Sequence, residues 1–358
     1  MLTTRKRLDP DIFDLPVEKM RAGWYTDAYF NHARATLLAD GRRPHVVMQV
    51  FQKNHAYLGG MDEAIAILKL CADGWDGLTV HALYDGDAIE PYETVLTIEG
   101  DYTSFAHLET VYLGTLGRRT LITTNVVRVL EAANGKPLIF MPARHDHHRV
   151  QTGDGYAAYV AGQILGAPIG VTTHEQASWW GGVGIGTVPH SLIAAYGGDT
   201  VAAARHFADW APADMNVTVL VDFENDSVRT ALDVARALGP RLWGVRLDTS
   251  ETLVDRSLWD ELGTFDPRGV NPQLVWKVRD ALDEAGFGSV RIVVSGGFTR
   301  EKIEHFELSG VPVDAYGVGS SLIRGSNDFT ADIVRADGRP AAKAGRAYRR
   351  NPRLEPVT

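Results

Sequence analysis

The sequence predicts an α/β protein in which a parallel, barrel-type sheet follows an N-terminal α+β module. Three observations point there. From about residue 165 onward, short β-branched runs alternate with longer segments of helical period, the pattern of βα units that build a parallel sheet. Polar and glycine residues stand at the ends of these runs, where parallel α/β folds carry their sites. The first hundred or so residues lack the alternation. The pattern alone does not separate a closed barrel from an open sheet. A chain of 358 residues suits a barrel of about 200–250 residues with a second module beside it.

In chain order, residues 46–51, 78–84 and 92–98 read as strands and Met61–Cys71 as a helix, which makes 1–118 an α+β domain. Residues 119–324 read as the barrel, with strands at 169–173, 217–223, 242–248, 290–297 and 313–319. Helices are expected between them at 191–210, 226–238, 272–285 and 300–308. In 226–238 the apolar residues Val228, Leu232, Val234, Ala235 and Leu238 recur at helical spacing. A strand at 329–334 and a tail containing Lys343 and several arginines are expected to return to the first domain as segment 325–358.

Composition sets limits on function. Hydrophobic residues make up 45% and charged residues 23%, the balance of a globular protein with a sizeable core. A net charge of −9 argues against bulk nucleic-acid binding, so an anionic substrate must be held by local Arg, His and backbone N–H groups. The lone cysteine, Cys71, excludes a disulfide framework and a cysteine zinc knuckle. Met1–Pro10 has basic residues without an apolar stretch behind them, unlike a signal peptide. No apolar run approaches the ~20 residues that span a bilayer. These features lead us to expect a cytoplasmic protein without membrane contact.

Four segments carry chemistry. Gly186-Thr187-Val188-Pro189-His190-Ser191 places an imidazole in a turn before a helix, where backbone N–H groups attract anions; a plain capping turn is the alternative. Ser295-Gly296-Gly297 and Gly317-Val318-Gly319-Ser320-Ser321 end successive late strands, as in the phosphate sites of barrels; ordinary tight turns are the alternative in a chain with 36 glycines. Asp222 and Asp248 end neighbouring strands, and Arg246 shares a strand face with Asp248. Such carboxylates hold ribose hydroxyls or Mg²⁺, and the guanidinium meets an anion by paired hydrogen bonds; a structural ion pair is the alternative. Arg144-His145-Asp146-His147-His148-Arg149 reads as an anion-binding or solvated loop rather than a metal site, because adjacent histidines rarely converge on one ion.

Taken together, these segments resemble the nicotinate phosphoribosyltransferase family, a group of type II phosphoribosyltransferases. The resemblance runs from about residue 25 to 345. It includes Thr26-Asp27-Ala28-Tyr29-Phe30, Ile98-Glu99-Gly100-Asp101-Tyr102 with Leu108-Glu109-Thr110, the Gly186–Ser191 turn, Val221-Asp222-Phe223, Val245-Arg246-Leu247-Asp248 and the two glycine loops.

The resemblance implies an irregular TIM-like α/β barrel with an N-terminal α+β domain, in a head-to-tail homodimer or a higher homo-oligomer. It implies transfer of phosphoribose from phosphoribosyl pyrophosphate to nicotinate, with Mg²⁺ and with ATP as co-substrate through a phosphorylated histidine, here His190. Tyr29 would stack on the pyridine ring from the other subunit. Arg144 would bind the carboxylate or a phosphate. Asp222, Arg246 and Asp248 would hold ribose, pyrophosphate and Mg²⁺, with Thr187 and Ser191 lining the substrate site. Gly296, Gly297, Gly317, Gly319 and Ser320 would hold the 5′-phosphate. One departure bears on the acceptor: Met141, beside Phe140, stands where the family often has a phenylalanine facing the ring. Related readings are a phosphoribosyltransferase acting on quinolinate or nicotinamide, and a non-catalytic phosphate-binding barrel.

Overall fold

A computed structural model describes residues 5–358; Met1–Thr4, part of the segment judged unlike a signal peptide, lie outside the described residues. The chain forms two compact units, one of residues 1–127, 156–164 and 325–358, the other of residues 128–155 and 165–324. The sequence suggests a division at 118/119. The unit boundary instead falls inside a continuous 24-residue helix, Glu109–Ala132, which no periodic signal in the sequence had marked out.

In the first unit, His45–Gln52 is central in an antiparallel sheet. It pairs with Phe329–Ala336 on one side and Leu96–Asp101 on the other, and Thr79–Ala82 follows. The strand after residue 325 thus returns to this unit. Residues 92–98 are not all strand: Tyr92 takes a positive φ of 64° in a turn, and the strand begins at Leu96. Helix Met61–Cys71 buries Met61, Ala64, Ile65, Ile67, Leu68 and Cys71 in the core of this unit.

The second unit holds six parallel strands. They are β1 (Leu138–Phe140), β2 (Ile169–Val171), β3 (Val217–Leu220), β4 (Leu242–Leu247), β5 (Arg291–Val294) and β6 (Ala315–Val318), in the order β2-β1-β6-β5-β4-β3. The β1 strand is so short that its three residues give no readable periodicity. The edges β2 and β3 are joined by an irregular segment. Ile185 N–H donates to Val171 O at 2.8 Å, and Val188 N–H donates to Thr218 O at 2.9 Å. This glycine-rich stretch closes the curled sheet where a regular strand is missing, which is why the barrel is irregular.

Several helix starts in this unit follow side-chain caps, each satisfying an otherwise orphaned N–H. Asp226 caps Ser227–Leu238, Asn271 caps Pro272–Glu284, and Thr299 caps Arg300–Leu308. Pro272 at the first helical position removes one orphan donor outright. The expected helix over 191–210 is two: His190–Ala195 and Thr200–Trp210. Gly197 and Gly198 adopt φ of 69° and 90°, which an α-helix does not allow, and Asp199 caps the second piece. No helix among the described residues is long and apolar enough to cross a membrane.

Candidate active site

Side chains alternate across a strand, so every second residue of a barrel strand points inward. Followed to the strand ends, the inward series reach Met141 after β1, Thr172 after β2, Leu220 on β3, Asp248 after β4, Ser295 after β5, and Gly317 and Gly319 on and after β6. All of these line one cavity of about 600 Å³. Arg144, His190, Ser191, Arg246, Gly296, Gly297 and Ser320 line it as well. Residues as remote in the chain as Met141 and Gly319 thus meet at the carboxyl ends of the strands.

The centre of the site is a three-residue network. Arg246 Nε donates to Ser295 Oγ at 2.7 Å, Ser295 Oγ lies 2.7 Å from Asp248 Oδ1, and Arg246 Nη2 pairs with Asp248 Oδ2 at 3.3 Å. Arg246 Nη1 also donates to Thr187 Oγ1 at 3.4 Å, tying the turn to the β4 strand. Arg246 is neither free nor fully buried, with 17% of its side chain exposed, so part of the guanidinium remains available to an anion.

His190 Nε2 lies 3.1 Å from Asp222 Oδ1. That hydrogen bond raises the imidazole above its ordinary value; the charges of Asp222 and Asp248 add to the rise, while partial burial and Arg246 oppose it. With Nε2–H donating to Asp222, a neutral ring leaves its Nδ1 lone pair uncommitted. Asp222 is bonded to His190, which lines the cavity, and so stands directly behind the cavity wall.

The glycine loops have separate physical reasons. Gly296 and Gly297 sit at φ of 82° and 66°, the left-handed region, which turns the chain after β5 into Thr299 and helix Arg300–Leu308. At the start of that nine-residue helix the Thr299 hydroxyl accepts the Lys302 N–H at 3.3 Å. Lys302 stands behind it, its ammonium 3.5 Å from Gly296 O and 4.5 Å from the Phe298 ring centre; burial pushes its pKa down.

A second cavity of about 430 Å³ shares Met141, Thr172 and Arg246 with the first and continues inside the barrel along Ile139, Thr187, Thr218, Trp243 and Val293. The shared residues mark where a polar chamber meets a more apolar one.

Tyr29 belongs to the first unit. It is 61% exposed, and its hydroxyl lies 3.2 Å from Asp27 Oδ2. Among the described residues, no three His, Cys, Asp or Glu side chains gather as a metal-binding group. Asp248 and Asp222 fit Mg²⁺ only in the manner of sites that supply one or two carboxylates and leave the other positions to water and substrate phosphates. Sequence reasoning placed His145 in an anion-binding or solvated loop without singling it out from its neighbours, and it missed Thr172 and the central part played by Ser295. Thr172 and Ser295 follow from extending strand alternation one step past each strand, whereas His145 has no such signal.

Residues 27–120 match the family model for the quinolinate phosphoribosyl transferase N-terminal domain. A nicotinate phosphoribosyltransferase of Mycobacterium tuberculosis is 32% identical over 277 residues, covering 75% of this chain and 56% of that protein. The chain therefore spans little more than half the length of this relative. A crystal structure of nicotinate-nucleotide pyrophosphorylase from Pyrococcus furiosus superposes with a TM-score of 0.79 at 32% identity, covering 96% of this chain and 85% of that one. Human nicotinic acid phosphoribosyltransferase shares the fold, with a TM-score of 0.63 at 18% identity over 88% of this chain and 75% of that one. The chain belongs to the nicotinate phosphoribosyltransferase family, among the type II phosphoribosyltransferases.

Proposed function

We propose that this protein transfers phosphoribose from phosphoribosyl pyrophosphate to the ring nitrogen of nicotinate, forming nicotinate mononucleotide and pyrophosphate in pyridine nucleotide salvage. The observation that carries the reading is the single cavity in which Arg246, Asp248, Arg144 and both glycine loops converge. In this reaction the bond from the anomeric carbon to pyrophosphate oxygen breaks and a bond to the pyridine nitrogen forms. The nitrogen lone pair becomes that bond, so no proton moves. What the site must supply is charge stabilisation and alignment.

Arg246, held by Ser295 and Thr187, is placed to meet the leaving pyrophosphate. Asp248 and Asp222 would hold Mg²⁺, whose chemistry here is to offset charge on the leaving group. Gly296, Gly297, Gly317, Gly319 and Ser320 present backbone N–H groups to the 5′-phosphate. The pyridine ring is assigned to the junction of the two cavities, against the Met141 thioether. Arg144 faces its carboxylate or a phosphate, and Tyr29 of a second copy would cover the ring in a homodimer or larger assembly. ATP would act as a co-substrate through His190. A cytoplasmic setting fits such an enzyme.

The decisive experiment supplies the purified protein with phosphoribosyl pyrophosphate, Mg²⁺ and either nicotinate, nicotinamide or quinolinate, and measures pyrophosphate. Release that depends on nicotinate supports the assignment. Quinolinate is the second reading, favoured by the match of residues 27–120 to a quinolinate-type domain. Release with quinolinate and none with nicotinate would replace the acceptor, and release with neither would leave a binding barrel.

A further inference from the structure

We infer that His145 is a proton-dependent ligand of the 5′-phosphate, an inference that rests on the transferase reading above. The loop after β1 carries three histidines, and they are placed differently. His147 and His148 lie against each other with ring centres 4.2 Å apart, and His147 Nδ1 accepts the Arg149 N–H at 3.3 Å. His145, by contrast, lines the cavity. Its backbone N–H donates to Pro142 O at 2.7 Å, closing a tight turn that sets the imidazole across the strand ends.

The ring ends against Gly319. A Cβ on Gly319 would stand 2.9 Å from His145 Cε1 and 3.4 Å from Nδ1. Gly319 has φ of −109° and ψ of −114°, and a side chain there would run into the imidazole as well. The next residue, Ser320, accepts a hydrogen bond from Arg324 Nη2 at 3.3 Å. The imidazole therefore lies beside the glycine–serine turn that the transferase reading gives to the 5′-phosphate.

A neutral imidazole offers one N–H, whereas an imidazolium offers two and a full charge; charge-assisted hydrogen bonds are roughly twice as strong as neutral ones. Histidine is the side chain that ordinarily makes this change between about pH 5 and 8, while arginine stays charged throughout. The charged and titratable groups around it are Arg144, Asp146, His147, His148 and Arg149 on its own loop, and Arg324 beyond Ser320. Across the cavity stand His190, Arg246 and Asp248, with Lys302 behind the Gly296 turn.

The test measures the affinity of the full chain for phosphoribosyl pyrophosphate by calorimetry at about pH 6 and about pH 8, for the unsubstituted protein, His145→Gln and His145→Arg. Comparing proteins at each pH cancels the titration of the substrate phosphate and of His190. At the lower pH the unsubstituted protein is expected to bind about tenfold tighter than His145→Gln, and at the higher pH within about twofold. His145→Arg is expected to keep its advantage over His145→Gln at both. A ratio between the unsubstituted protein and His145→Gln that does not change with pH overturns the role of His145 and leaves the transferase reading standing. An unsubstituted protein that binds no phosphoribosyl pyrophosphate at either pH overturns both.

Discussion

Ser295 Oγ accepts the Arg246 Nε–H at 2.7 Å while lying 2.7 Å from Asp248 Oδ1, so one buried hydroxyl at the end of β5 aligns an oppositely charged pair at the end of β4. Neighbouring parallel strands make this possible, because Val293 and Arg246 are register partners and the inward series of each strand then runs to its end in step. The guanidinium is thereby oriented before any anion arrives, which lowers the cost of binding one.

Replacing Ser295 with Ala removes the anchor and leaves the ion pair at 3.3 Å as the main restraint on Arg246. We expect kcat/KM for phosphoribosyl pyrophosphate to fall about tenfold, equivalent to ~1.4 kcal/mol of transition-state stabilisation. Steady-state kinetics beside a thermal melt separates this from unfolding. Unchanged kcat/KM in a folded variant would mean that Arg246 needs no help from Ser295.

Asp248→Asn keeps the shape of the side chain and removes its charge. Turnover is expected to drop at least about tenfold with the fold intact, since the carboxylate faces the cavity and Mg²⁺ takes anionic oxygen ligands. A variant with ordinary kinetics would reduce Asp248 to a structural partner of Arg246.

His190 is expected to take the γ-phosphoryl group of ATP. Its Nε2 is engaged with Asp222 at 3.1 Å, so attack would come from Nδ1, with the N–P bond forming as the bond to ADP breaks. Incubation with γ-labelled ATP should give acid-labile label that His190→Ala lacks. Equal labelling of both proteins would exclude His190; no label in either, with product still formed, would describe an uncoupled enzyme.

Glu109 offers a test of the first unit alone. Burial, with the negative charge of Asp332 adding to it, pushes this carboxyl up to about 7. The folded protein therefore holds a proton that the unfolded chain releases at lower pH. The contribution is fully favourable below the ordinary carboxylate range and is lost as pH rises through about 7. Denaturant titrations across that range should show stability declining with pH, and Glu109→Gln should flatten the decline. An identical slope in the variant would assign the pH dependence to other groups.

Strand and helix periods, capping residues and the glycine–polar strand ends are legible in the chain, because they depend on neighbours a few residues apart. Thus the expected elements at 217–223, 242–248 and 272–285 match the observed ones to within a few residues, and strand alternation alone puts Arg246 and Asp248 on one face. The expected helix at 191–210 divides in two because apolar spacing continues across Gly197 and Gly198, whose positive φ values break it.

What the sequence determined by itself is local: an α/β alternation, an order of motifs that marks the family, and residue types suited to phosphate and pyrophosphate. Tertiary structure decided which of those residues meet. Closure of the sheet through Ile185 and Val188, the coupling of Ser295 to Arg246 across two strands, the pairing of His190 with Asp222, and the approach of His145 to Gly319 all depend on contacts between segments remote in sequence. Such contacts leave no periodic trace in the chain, because strand pairing and loop packing are set by the shape of the whole core rather than by neighbouring residues.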